Sequence, residues 1–192
     1  MTYIITTPLY YVNDKPHLGS VYTTLICDTI AKYKRLVGEK VIFITGVDEH
    51  GLKIQRTAQS NGVTPKEHCD DTSDIFLSNW TKWNITFDKF IRTSSKHHLS
   101  IVYEFYKRVK DSNDIYMGVQ KGWYCVGCEE FKDNPDNSPS YQCPIHKKNL
   151  EWKNEENLFF KLSKYQNQIE ELINNPNFIE PKERRNDIKN FV

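Results

Sequence analysis

The sequence predicts an α/β fold, a parallel sheet flanked by helices, with a small metal-ribbon module after it. Three observations point there. Short β-branched or continuously apolar runs at 3–6, 41–44 and 90–92 alternate with stretches of helical period, the order in which βαβ crossovers build a parallel sheet. Polar loops at 9–16 and 46–51 follow the first two runs, and open parallel sheets take their ligands beyond the carboxyl ends of strands. From about residue 115 the composition shifts to Gly and Pro turns with clustered Cys and His.

Residues 3–6, Tyr-Ile-Ile-Thr, read as the first strand, ended by Pro8. Leu9 to Pro16 follow as an aromatic loop rich in turn formers. A helix opens near Gly19 and runs to Leu36. Val21, Leu25, Cys27, Ile30, Ala31 and Tyr33 fit the 3.6-residue period as its inner face, and Gly38 stands where a C-terminal cap belongs. Val41-Ile42-Phe43-Ile44 is the continuous apolar run of a strand buried on both faces. A loop from Gly46 to Gly51 leads into a helix that stops at Gly62. Thr64 as N-cap, Pro65 in the first turn and Glu67 three residues after Thr64 mark the next helix start. Phe90 to Arg92 supply a third strand, and Ser95 caps a helix reaching about Lys110. Beyond 115 come short strands, an amphipathic helix from Tyr165 to Ile173, and a basic tail, Pro181-Lys182-Glu183-Arg184-Arg185.

A chain of 192 residues accommodates one large or two small domains; the composition divides it into 1–114 and 115–192, with a zinc knuckle at 123–148. Ten Phe, eleven Tyr and four Trp are enough to build a core despite a polar mean hydropathy of −0.67. No run approaches the roughly 20 apolar residues that cross a bilayer, so no membrane partner is expected. The start, Met1 to Thr6, has no basic segment and no small-residue cleavage site, so it is expected to be the first strand of a domain and not a secretory leader. Five cysteines without such a leader argue against a disulfide framework and for a reducing compartment, the cytoplasm or an organelle's stroma or matrix. A net charge of +1 excludes a global basic field, so any contact with RNA has to be local.

Two motifs carry chemistry. Pro16-His17-Leu18-Gly19-Ser20 stands where a loop passes into a helix, a place where free backbone amides and the helix dipole face an anion. Gly19 has no Cβ, so a flat ring can lie on the backbone, and His17 can donate to a phosphoryl oxygen as charge develops there. Taken alone, these residues read more simply as a hydrogen-bonded histidine at a helix start. The second motif is Cys125-Val126-Gly127-Cys128, then fourteen residues, then Cys143-Pro144-Ile145-His146. Each two-residue gap lets a pair of side chains point at one ion, with Gly127 permitting a tight knuckle. Three thiolates and an imidazole complete a closed, structural zinc site. A redox Cys-x-x-Cys would stand at a helix start without a second pair downstream.

Thr6 to Asn13 leading into Pro16-His17-Leu18-Gly19, together with Phe43-Ile44-Thr45-Gly46-Val47-Asp48-Glu49-His50-Gly51 and the cysteine module, resembles the class I aminoacyl-tRNA synthetases, and among them the methionyl family, to about residue 165. The resemblance implies the N-terminal half of a Rossmann-like (HUP-type) nucleotide-binding fold carrying its HIGH motif, with the zinc module as a connective-peptide insertion. It implies His17 and Ser20 as catalytic residues, ATP at Pro16, His17, Gly19 and Ser20, and methionine at Leu9, Tyr11 and Asp48. Zinc at Cys125, Cys128, Cys143 and His146, magnesium with ATP, and tRNA(Met) as partner complete the expectation. Asp48 would bind the ammonium group of methionine; the alternative is a helix N-cap before Leu52. Glu49 and His50 could serve only to support the loop. The motif's last position is usually His and here is Ser20, read as a mark of plastid-type and some bacterial enzymes.

Lys161-Leu162-Ser163-Lys164 looks like the family's second signature, KMSKS, but runs straight into a helix and lacks the continuation Ser-x-Gly-Asn. With no KMSKS loop or second half-sheet recognised, the resemblance implies an N-terminal part that does not catalyse alone. Cys27 and Cys69 read as ordinary helix residues, and His68, His97 and His98 have no assignable partners. The rival readings are a zinc hydrolase or redox protein centred on the cysteines and a non-catalytic zinc-ribbon module that binds RNA or a protein. Metal analysis with thiol counting should find about one zinc per chain, leaving only Cys27 and Cys69 open to thiol reagents; a catalytic or redox site would leave more.

Overall fold

The computed structural model describes residues 2–133 and 138–191, so residues 134–137 of the expected zinc module lie outside the described residues. The chain divides into two compact units, Met1–Tyr103 with Val126–Glu129, and Glu104–Cys125 with Glu130–Val192.

In the first unit, strands β1 (Thr2–Thr6), β2 (Tyr10–Tyr11), β3 (Lys40–Asp48) and β4 (Lys89–Arg92) alternate with helices α1 (Leu18–Leu36), α2 (Leu52–Ser60) and α3 (Pro65–Lys82); α4 (Lys96–Asp111) follows β4. All strand pairs of this sheet are parallel, as the alternation requires. Ile44 pairs with both Thr6 and Lys89, and Val47 with both Tyr10 and Arg92. Hence β3 is central, with β1 and β2 along one edge and β4 along the other.

Two stretches expected as loop are strand. Residues 46–48 continue β3, because that end of it pairs with both β2 and β4. Tyr10 and Tyr11 form β2 because Tyr10 is drawn inward: its ring stacks on Phe76 at 5.8 Å and meets Trp80 at 6.0 Å, and its hydroxyl bonds Thr24 Oγ1 at 2.9 Å. The core they join holds Val12, Phe43, Val47, Ile54, Phe76 and Trp80.

Helix starts and stops follow local chemistry. Thr64 Oγ1 accepts from the Glu67 amide and the Glu67 carboxylate accepts from the Thr64 amide, the expected reciprocal cap. Ser95 Oγ accepts from the His98 amide at the start of α4, and Gly38, at φ 86°, terminates α1. The inner face of α1 differs from expectation. Its buried residues are Ser20, Thr24, Asp28 and Ala31, while Leu25 and Tyr33 are exposed. The polar stripe is buried because each member has a partner; Asp28, for instance, accepts from the Thr86 amide and hydroxyl, both at 2.7 Å.

In the second unit β5 (Ile115–Cys125) pairs antiparallel with β6 (Glu130–Lys132) and along ten residues with β7 (Glu151–Phe160). The strands expected to be short are thus a long hairpin. A 3-10 turn (Leu162–Tyr165), α5 (Gln166–Asn174) and α6 (Arg184–Phe191) follow, the last covering part of the segment expected as a basic tail. The lysines of the KMSKS-like tetrapeptide hold the hairpin's base: Lys161 Nζ donates to the Asn113 carbonyl at 2.8 Å and Lys164 Nζ to the buried Asp114 at 2.6 Å. Among the described residues no helix is long and apolar enough to cross a membrane.

The backbones come very close at Gly46, where a Cβ would lie 2.1 Å from the Ile91 carbonyl oxygen. No side chain can yield there, so the strands themselves would have to part. Gly46→Ala should destabilise the chain by about 3 kcal/mol, read as a lower urea midpoint with an unchanged slope.

Candidate functional site

The site residues gather at the carboxyl ends of β1, β2 and β3. The segment after β1 turns back into α1 at His17, whose Nδ1 accepts from the Gly19 amide at 3.0 Å. The Ser20 hydroxyl answers by accepting from the His17 amide at 3.0 Å and donating to the His17 carbonyl at 2.8 Å. His17 and Ser20 therefore form a capping box in which the imidazole replaces the usual hydroxyl. Two consequences follow for the expected phosphate site. The Gly19 amide, expected to face an anion, is taken up by His17. With Nδ1 accepting, the neutral ring carries its hydrogen on Nε2, which is the donor left to meet a ligand.

A cleft of about 420 Å³ opens beside this turn, lined by Leu9, Tyr11, His17, Ser20, Lys53 and Phe76, among others. Four of the expected site residues thus share one hollow, while Pro16, Gly19 and Asp48 are not in its lining. Asp48 is the ladder partner of Tyr11 at the end of β3. It does not cap α2: the N-cap there is Gly51, without a side-chain bond. Instead, Asp48 Oδ1 accepts from the His50 amide and the Thr93 hydroxyl, each at 3.3 Å. Lys53 places its ammonium 5.9 Å from the Tyr11 ring centroid, within cation–π range.

Glu49 anchors the loop. It is buried, and its carboxylate accepts from Arg92 Nε at 2.7 Å, Ser73 Oγ at 2.8 Å and Ser94 Oγ at 2.5 Å. Burial alone would raise its pKa, but the bonds from Arg92, Ser94 and Ser73, with the charge of Arg92, outweigh it and hold the carboxyl below its usual range. Arg92 also bonds Asp70 at 2.6 Å. Arg92, Thr93 and Ser94 carry no motif that marks them in the sequence. They stand just beyond β4, so the rule that singled out the ends of the first two strands would have found them. His68, left without a partner in the sequence, bonds the Val12 carbonyl at 2.8 Å.

The sulfur and nitrogen donors of Cys125, Cys128, Cys143 and His146 lie within 4.8 Å of one another. Cys125 Sγ and Cys143 Sγ are each 3.8 Å from His146 Nδ1. A zinc tetrahedron with bonds of about 2.3 Å to sulfur and 2.0 Å to nitrogen spaces its donors about 3.5–3.8 Å apart, so this set fits such an ion. The left-handed backbone of the first knuckle falls at Glu129 (φ 59°), not at Gly127, and that of the second at Lys147 (φ 53°). Each lies one residue after the second ligand of its pair. The His146 amide, 3.5 Å from Cys143 Sγ, is the main cause that lowers this thiol to about 6, so the sulfur is set up as a thiolate ligand.

Residues 3–149 match the family described as tRNA synthetases class I (M). The chain belongs to this methionyl family of class I tRNA synthetases. This synthetase chain is 52% identical over 193 residues to a methionine–tRNA ligase of Nostoc sp., covering 100% of the chain and 36% of that protein. With the chloroplastic/mitochondrial methionine–tRNA ligase of Arabidopsis thaliana it shares 47% over 192 residues, 100% of the chain and 31% of the relative. The structure of Mycobacterium tuberculosis methionyl-tRNA synthetase in complex with methionyl-adenylate matches with a TM-score of 0.89 at 35% identity, covering 99% of this chain and 38% of that one. The synthetase chain spans about a third of the length of the curated relatives it matches.

Because the carboxyl of Glu49 is more acidic folded than unfolded, its stabilisation is fully present above the unfolded value of about 4.3 and is lost as pH falls through the folded value. Glu49→Gln should flatten the acid limb of stability against pH. Arg92→Ala, which leaves the buried carboxylate without its cation, should cost about 3 kcal/mol, and more than the double variant with Glu49→Gln. Urea titrations at several pH values measure both.

Proposed function

We propose that this chain supplies the HIGH-motif half of a site that activates methionine with ATP to methionyl-adenylate and transfers it to tRNA(Met). What carries the reading is the cleft that gathers Leu9, Tyr11, His17 and Ser20 beyond the carboxyl ends of β1 and β2. The family membership and the likeness to a synthetase holding methionyl-adenylate support it. Residues 1–114 form the first half of the catalytic domain in this reading, and 115–192 the connective-peptide insertion.

The methionine carboxylate attacks the α-phosphorus of ATP, forming the acyl–phosphate bond as the bond to pyrophosphate breaks. His17 donates from Nε2 to an α-phosphoryl oxygen whose charge grows in the transition state, a preorganised contact of the kind that dominates phosphoryl transfer. Pro16, Gly19 and Ser20 shape the turn under the nucleotide. Leu9 and Tyr11 offer the apolar and aromatic neighbours that a thioether prefers, and Asp48 meets the ammonium. Magnesium bound with ATP would supply neutralisation of phosphate charge. Cys125, Cys128, Cys143 and His146 would hold zinc in a closed set of four donors, where its role would be structural. The cytoplasm, or an organelle's stroma or matrix, is the compartment that suits the thiolates.

Calorimetry with a non-hydrolysable methionyl-adenylate analogue tests the reading. The hydrogen of the Ser20 hydroxyl is engaged by the His17 carbonyl, whereas Nε2–H of His17 is the ring's outward donor. His17→Ala should therefore weaken binding at least tenfold, and Ser20→His should change it less. RNA binding without any affinity for ATP or the analogue would overturn the reading and favour the non-catalytic module.

A further inference from the structure

The loop that ends β3 is tied to the end of β4 through one hydroxyl. Thr93 is buried, and its Oγ1 lies 2.8 Å from the Glu49 amide, 3.1 Å from His50 Nδ1 and 3.3 Å from Asp48 Oδ1. Its neighbours on both sides are pinned, since Arg92 and Ser94 each bond the Glu49 carboxylate, and the Thr93 amide donates to the Val47 carbonyl at 3.4 Å. The hydroxyl therefore has little freedom to move.

A hydroxyl offers one hydrogen and two lone pairs. The Glu49 amide only donates, so it takes a lone pair. The Asp48 carboxylate only accepts, so it takes the hydrogen. His50 is left with the second lone pair and must bring its own hydrogen, on Nδ1. We propose that Thr93 is a positioning residue for the amino-acid site, aiming the Asp48 carboxylate and fixing His50 as the Nδ1–H tautomer. Asp48 Oδ1 then holds two donors, the Thr93 hydroxyl and the His50 amide. Oδ2, bonded to no donor among the described residues, is the oxygen turned over to a cation. His50, an exposed ring, offers Nε2 as an acceptor from the same loop. Two acceptors offered by one loop suit a primary ammonium, which has three hydrogens to give. The inference rests on the reading of Asp48 as the group that meets the ammonium of methionine.

Two measurements on the 192-residue chain test it. Long-range proton–nitrogen correlation spectra with labelled histidine, recorded above the ring's titration range, report the tautomer of His50. The wild type and Thr93→Ser should show Nδ1–H, and Thr93→Val should lose it. Calorimetry with methionine and with its analogue lacking the amino group separates positioning from general damage. Thr93→Val should lose about tenfold in affinity for methionine, the worth of a hydrogen bond to a charged group, with no change for the analogue, and Thr93→Ser should recover it. An Nε2–H tautomer in the wild type, or equal losses for both ligands, would overturn the assignment. A wild-type chain that shows the Nδ1–H tautomer yet binds neither ligand would overturn the underlying substrate reading instead, and with it the positioning role.

Discussion

Where β3 and β4 run past each other, Gly46 admits the Ile91 backbone so closely that even a methyl group would collide with its carbonyl oxygen. That approach sets the register in which Ile44 to Val47 face Lys89 to Arg92. One residue further along, the same register delivers Thr93 to the loop at Asp48, and Arg92 and Ser94 to Glu49. The candidate site is thus an extension of strand pairing. Its side chains meet because the ladder beneath them permits one alignment and no slip.

Three buried carboxylates repeat one device. Asp28 joins α1 to the segment before β4 through Thr86 and Lys32, Glu49 joins the β3 loop to β4 and α3, and Asp114 joins the start of β5 to Lys164 and Tyr165. A carboxylate out of water is expensive unless donors surround it. Each of these has a cation beside it and at least one hydroxyl from a distant part of the chain. Their value lies in discrimination: any packing that misplaces one partner leaves a bare charge, so alternative arrangements are penalised more than the native one is favoured.

Much of this was legible in the sequence because local rules decided it. The Thr64–Glu67 cap, the stop at Gly38, the parallel alternation and the Cys/His spacing all depend on neighbours a few residues apart. What escaped depended on distant partners. The two-residue strand at Tyr10 exists because Phe76 and Trp80 wait for its ring. The buried stripe of α1 is polar because Tyr10 and Thr86 satisfy it, and periodicity of apolar residues could not foresee that. His17 reads in the sequence as a ligand donor, and its capping of Gly19 depends on a ring orientation that spacing does not encode. The hub at Thr93 unites positions more than forty residues apart, beyond any spacing rule.

The outward side of α1 holds a different lesson. Leu18, Tyr22, Leu25, Ile26, Tyr33 and Leu36 recur at helical spacing and are all exposed, Leu18 at 83% and Leu36 at 84%. So much oily surface on a single helix makes water a poor solvent for the isolated polypeptide. An exposed stripe of this kind favours association, the more so as salting-out ions rise and the less so in mild detergent.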